Sequence, residues 1–173
     1  MRNSTIRSLQ DTLLWSGRIY AEDSLIEGNV DYIWGTGTAY FNRVEVKTVG
    51  RKGYNIQARN SSANYGYVFV DSKLTADAGI TGDVLARIDV AAYPYSHVAY
   101  IDCEMGPHIS AAGWTITGGG STSNLRFWEY QSRTPEGQLV DTSGRASGSK
   151  QLTGPEAEQM RDASVVLDGW DPR

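Results

Sequence analysis

A short polar-marked segment recurs along the chain: an apolar pair, then Asp or Asn, then a second apolar stretch. Copies run from Tyr20 to Ile26, Tyr40 to Val44, Phe69 to Leu74 and Tyr100 to Met105, and their markers Asp23, Asn42, Asp71 and Asp102 stand 19, 29 and 31 residues apart. A unit of that size cannot bury its own apolar face, so the copies must stack on one another. The spacing predicts an all-β solenoid, a parallel β-helix, with coils of about 20 to 30 residues and loops of varying size. The competing fold is a β-sandwich, whose hairpins call for two-residue Asn-Gly or Asp-Gly turns. Asp168-Gly169 is the one such pair, and it lies in the tail.

With 173 residues, one domain is expected. The 19 glycines and 10 tyrosines, with short Val/Ile/Tyr/Phe runs broken by Gly and Asn, favour strands with frequent turns. After Gly148 the pattern changes: Leu152 to Met160 offers Thr153 as an N-cap, Pro155 near the first turn and helix formers beyond. The predicted organisation is a β-helix over residues 1–150 and a C-terminal helix and tail over 151–173, packing on the solenoid. The net charge of −4 and the scattered basic residues argue against nucleic acid as a partner. No apolar run reaches the roughly 18 residues of a membrane span, and residues 1–10 lack the apolar core of a signal peptide. The single Cys103 excludes an intrachain disulfide, while His97 and His108 are too few for a zinc triad, so no metal and no cofactor are expected. A GxSxG elbow is absent, against a serine esterase of the α/β-hydrolase kind.

Asp11 and Asp31 are 20 residues apart, one coil in the predicted solenoid. Stacked rungs lie about 4.8 Å apart, which would set the two carboxyls side by side. Like charges at that distance resist ionising together, leaving one group protonated as an acid beside an ionised base or nucleophile. Ester hydrolysis needs that division of labour. Spacing alone favours the plainer reading, that both are turn aspartates.

The flanking residues decide between these. Gln10-Asp11-Thr12-Leu13 and Gly28-Asn29-Val30-Asp31-Tyr32-Ile33-Trp34-Gly35 resemble the paired signatures of pectin methylesterases, QDTL and G-x-VDFIFG. Further along, Leu85-Ala86-Arg87, the stretch from Ser96 to Trp114, Phe127 to Tyr130, Thr142 to Arg145 and Leu152 to Met160 resemble that family's LGR, AGW, GEY, TSGR and LT-x-x-EA elements in the same order.

The resemblance implies a right-handed parallel β-helix, like that of pectin lyases, that hydrolyses methyl esters of homogalacturonan to pectate and methanol, secreted and monomeric. Residue by residue, it implies Asp31 as nucleophile, Asp11 as acid and then base, Gln10 as oxyanion donor and Arg87 as the group that orients Asp31. Trp114 and Tyr32 would line the substrate cleft. Trp34 alternates in step with Tyr32, so both would face the same way, with Trp34 as buried bulk. Asp89 stands where the family has a cleft tryptophan, which suggests a preference for highly methylated pectin. A second glutamine is expected about one coil before Gln10, in a longer protein preceding Met1. The alternative is a degenerate β-helix that binds acidic polysaccharide without turning it over.

Overall fold

The computed structural model describes residues 1–172; Arg173, the last residue of the predicted tail, lies outside the described residues. Five coils of three short strands follow one another. The first holds β1 (Thr5–Arg7), β2 (Leu13–Trp15) and β3 (Arg18–Glu22), the second β4 (Leu25–Gly28), β5 (Val30–Gly35) and β6 (Thr38–Asn42). The third holds β7 (Glu45–Thr48), β8 (Tyr54–Ala58) and β9 (Tyr67–Val70), the fourth β10 (Lys73–Ala76), β11 (Val84–Asp89) and β12 (His97–Ile101). The fifth holds β13 (Glu104–Met105), β14 (Trp114–Thr117) and β15 (Arg126–Tyr130); then come β16 (Ser149–Gln151), α1 (Gly154–Arg161) and α2 (Ala163–Val166).

Each strand pairs in parallel with its equivalents in neighbouring coils, making three sheets: β1-β4-β7-β10-β13, β2-β5-β8-β11-β14 and β3-β6-β9-β12-β15-β16. A sandwich of hairpins is excluded, because every pairing between these strands is parallel.

The recurring segment turns out to be the corner between the third and first sheets. There one residue per coil takes the left-handed conformation: Asn3, Asp23, Arg43, Asp71, Asp102 and Gln131, with φ between 47° and 54°. Asp and Asn tolerate this region because their short polar side chains bond locally. The marker Asn42 is therefore one residue early. Arg43 holds the corner, its Nε donating to Asp23 Oδ1 at 2.8 Å and its Nη2 to Glu22 Oε1 at 2.7 Å. The next residue is small and points inward: Ser24, Val44, Ser72, Cys103 and Ser132 are all buried. Burial pushes the Cys103 thiol up to about 12, so it is an inert packing group.

Parallel register puts equivalent side chains directly above one another, and the core is built of such columns. Phe41 stacks on Phe69 with centroids 4.2 Å apart, and Phe69 on Tyr100 at 4.9 Å; such aromatic pairs contribute about 0.5–1.5 kcal/mol each beyond their burial. On the solvent face of the first sheet the column is charged instead, with Glu27 between Arg7 (3.5 Å) and Lys47 (3.6 Å). The third sheet is apolar on both faces. Its outer residues Tyr20, Tyr40, Val68 and Ala99 are covered by Ala157, Met160, Val166 and Leu167 of the helical tail. Helix α1 starts at the predicted cap: the Thr153 N–H donates to Glu156 Oε2 at 2.8 Å, and Lys150 foremost, then Thr153, hold the Glu156 carboxyl down to about 2.

The two histidines make stability depend on pH. His97 is fully buried, with Nδ1 accepting the Gly66 N–H at 2.9 Å, and burial, then Arg126, hold its pKa well below the ordinary 6.5; burial lowers His108 as well. Below pH 6.5 the unfolded chain gains protons that the folded chain does not. Folding stability should thus be level above about pH 6.5 and fall below it by up to about 1.4 kcal/mol per pH unit for each histidine. Urea unfolding at pH 7.5 and 5.5 would show this, and equal midpoints would contradict it.

Candidate active site

The site lies on the outward face of the second sheet, around β5. Register places Leu13 opposite Ile33 and Gln10 opposite Val30, so Asp11 and Asp31 occupy equivalent positions on adjacent rungs. Both adopt the left-handed backbone, with φ of 49° for Asp11 and 46° for Asp31. For Asp31 the reason is a bulge: β8 pairs with Val30 through Tyr54 and with Ile33 through Ile56, so two residues of β5 oppose one of β8.

The bulge breaks the alternation along β5, and two sequence expectations fail there. Tyr32 turns inward, wholly buried, and its hydroxyl bonds the Thr48 Oγ1 at 3.2 Å. It has no face to offer a substrate. Gly28 is required beneath it, because a Cβ at that position would overlap the Tyr32 Cβ. Trp34, one place beyond in the outward row, is half-buried outside the core, with the Arg59 guanidinium 4.9 Å from its ring centroid. It does not share a side with Tyr32. Gly35, with φ of 127°, ends the strand where its backbone abuts the Trp15 carbonyl, a conformation and a space that only glycine fits.

Trp114 is also a core residue, 2% exposed. It stacks on Phe127 at 4.7 Å and its Nε1 donates to the buried Glu129 Oε1 at 3.3 Å, so it is not a cleft residue.

Asp31 is 6% exposed. Arg87, two rungs along on β11, donates from Nε to Asp31 Oδ1 at 2.8 Å and from Nη2 to Oδ2. That bidentate geometry fixes the carboxylate plane and still leaves lone pairs free on both oxygens. Asp31 foremost, with smaller help from Asp11, raises the Arg87 pKa above its ordinary value. Tyr54 supports the guanidinium from one side, 4.5 Å from its ring centroid. Asp11 and Gln10 are exposed; the Asp11 N–H donates to Val30 O at 3.1 Å. The structure thus brings Gln10, Asp11, Asp31 and Arg87 to one face and sends Tyr32 and Trp114 inside.

Two further residues belong to this face. Gln57 of β8 sits between Asp31 and Arg87, its Nε2 3.4 Å from Asp31 Oδ2, and Arg59 donates to the Gln57 Oε1 from Nε at 2.8 Å and from Nη2. Gln57 is in register with Trp34 and reaches Asp31 with its side chain, a position that depends on the length of the third coil, which no motif encodes. Among the described residues no cluster of three or more His, Cys, Asp or Glu is placed to hold a metal ion.

Comparison with known proteins agrees with this architecture. The family model described as Pectinesterase matches residues 1–166. The chain belongs to the pectinesterase family. Pectinesterase 2 of Olea europaea is 32% identical over 174 residues, covering 97% of this chain and 45% of that protein. Pectinesterase B of Dickeya dadantii is 41% identical over 76 residues, 41% of this chain and 18% of the other. Among solved structures, pectin methylesterase from carrot superposes with a TM-score of 0.80 at 21% identity, over 95% of this chain and 55% of that one. A pectin methylesterase in complex with a hexasaccharide gives 0.77 at 24% identity, over 99% and 57%. The fold is the right-handed parallel β-helix of this pectinesterase group. The chain spans about half the length of the curated relatives it matches.

Proposed function

We propose that the chain carries the ester-cleaving site of a pectin methylesterase, acting on methyl-esterified galacturonate units of pectin outside the cell. What supports the reading above all is the bidentate Arg87–Asp31 pair with Asp11 in register one rung away. Arg87 holds the Asp31 carboxylate oriented, and the free lone pairs of Asp31 attack the ester carbonyl. The side-chain amide of Gln10 donates to the oxygen that becomes negative in the tetrahedral intermediate. As the C–O bond to methanol breaks, Asp11 gives its proton to the leaving oxygen and is left as a carboxylate. It then takes a proton from water, whose oxygen attacks the Asp31 acyl carbon; galacturonate leaves with Asp31 free and Asp11 protonated again.

The test is methanol release from highly methylated pectin by the purified chain. Release above a no-protein control is expected. If none appears, while Asp31→Ala leaves pectin binding unchanged, the site binds polysaccharide without cleaving it.

A further inference from the structure

The outward row beside Asp31 carries a second cation that ester cleavage does not use. Arg59 directly follows β8, anchored by its N–H to Gly35 O at 2.8 Å. Its guanidinium packs 4.9 Å from the Trp34 ring centroid and 5.3 Å from that of Tyr93. Nε and Nη2 are both spent on the Gln57 Oε1, a neutral acceptor, and among the described residues the guanidinium has aromatic neighbours but no carboxylate partner. Every other element of a carboxylate fork is present: a planar cation, fixed on aromatic surfaces, with one edge left outward. Gln57 places it, since the same amide that accepts from Arg59 lies against Asp31. Gln57 and Arg59 stand two positions apart with Ala58 between them, a rise of about 7 Å.

We propose that Arg59 is a carboxylate subsite, which takes the free acid group of a uronate unit near the esterified unit held at Asp31. The inference rests on the esterase reading for the identity of the polymer. Trp34 supplies the apolar surface on which a pyranose ring can lie beside the charge. Ester groups offer this guanidinium only a neutral oxygen; free acid groups offer a charge-matched pair of oxygens. The site therefore selects polymer that is already partly de-esterified. Asp89, which in the sequence suggested the opposite preference, is turned to its own loop, with Oδ1 accepting the N–H groups of Ala91 (3.0 Å) and Ala92 (3.2 Å).

The experiment has a kinetic and a binding arm. In the first, methanol release is measured on pectin of high and of half esterification. The ratio of kcat/KM on the half-esterified to the highly esterified polymer should fall roughly tenfold in Arg59→Gln, chiefly through KM, with partial recovery in Arg59→Lys. In the second, polygalacturonate is titrated into Asp31→Asn and into Asp31→Asn/Arg59→Gln, where affinity should fall roughly tenfold on loss of Arg59 and weaken with salt. Equal ratios and equal affinities with and without Arg59 would overturn the subsite. Absence of methanol release with Arg59-dependent binding retained would instead defeat the esterase reading and leave the subsite standing. Thermal melting of each variant separates either result from misfolding.

Discussion

Asp31→Asn is expected to lower methanol release by at least about 10⁴-fold while leaving the chain folded. The side chain changes by one atom and loses its charge, so attack on the ester carbonyl is removed at its source. Asn tolerates the left-handed backbone at position 31 as well as Asp does, and its amide oxygen can still accept from Arg87. The melting temperature should therefore stay within a few degrees of the parent. Neighbouring losses should be smaller and ordered: about 10²- to 10⁴-fold for Asp11→Asn, which removes a proton donor and acceptor, and about 10²- to 10³-fold for Gln10→Ala, which removes one oxyanion donor. An Asp31→Asn chain within tenfold of the parent would mean that another group attacks the ester.

The largest loss of stability is expected at Arg145. Its side chain is 5% exposed and that of its partner Glu129 is wholly buried. The guanidinium donates to Glu129 from Nε at 2.7 Å and from Nη2 at 3.1 Å, and to the carbonyls of Ser110 and Ala111 at 3.1 Å. Glu129 also accepts from Trp114 Nε1 and from Ser132 Oγ at 3.0 Å. By register Glu129 follows Phe41, Phe69 and Tyr100 in one inward column, so the pair closes the end of the aromatic stack. Arg145→Met leaves a buried carboxylate without its countercharge and should cost about 3–5 kcal/mol, or roughly 10 °C in melting temperature. Replacing both partners, as in Arg145→Met/Glu129→Leu, should recover much of that loss, because no charge is then stranded. If the double variant melts no higher than the single one, the pair is contributing packing rather than charge compensation.

The contrast between these residues explains what the sequence could and could not convey. The solenoid was legible because Asp23, Asp71 and Asp102 recur at a left-handed corner that favours short polar side chains. The slip at Asn42 has the same origin: Arg is unusual in that conformation, and Arg43 holds it alongside its bonds to Asp23 and Glu22. Asp11 and Asp31 were legible because the first two coils have equal length, 20 residues, with no insertion between them. Tyr32 was misplaced because strand alternation cannot register a bulge. Trp114 was misplaced because its partner Glu129, 15 residues on, is brought to it only by the coil that intervenes. Gln57 and Arg59 escaped notice for a related reason: their alignment with Asp31 is set by loop lengths, not by residue type.

The left-handed corner also determines where this chain can grow. Two residues join the third sheet to the first in each of the first four coils, Asp23-Ser24, Arg43-Val44, Asp71-Ser72 and Asp102-Cys103, whereas the connections on the flanks of the second sheet vary, the one to the third sheet lengthening from two residues in the first two coils to seven or eight in the later ones. One residue added at the corner would shift every later rung by a place and turn its inward column outward. The same residue added beside the second sheet would only lengthen a loop. Loop grafting and directed insertion should therefore succeed on the flanks that border Asp31 and fail at the corner, which makes the wall around the carboxylates the adjustable part of a frame whose phase is set on the far side.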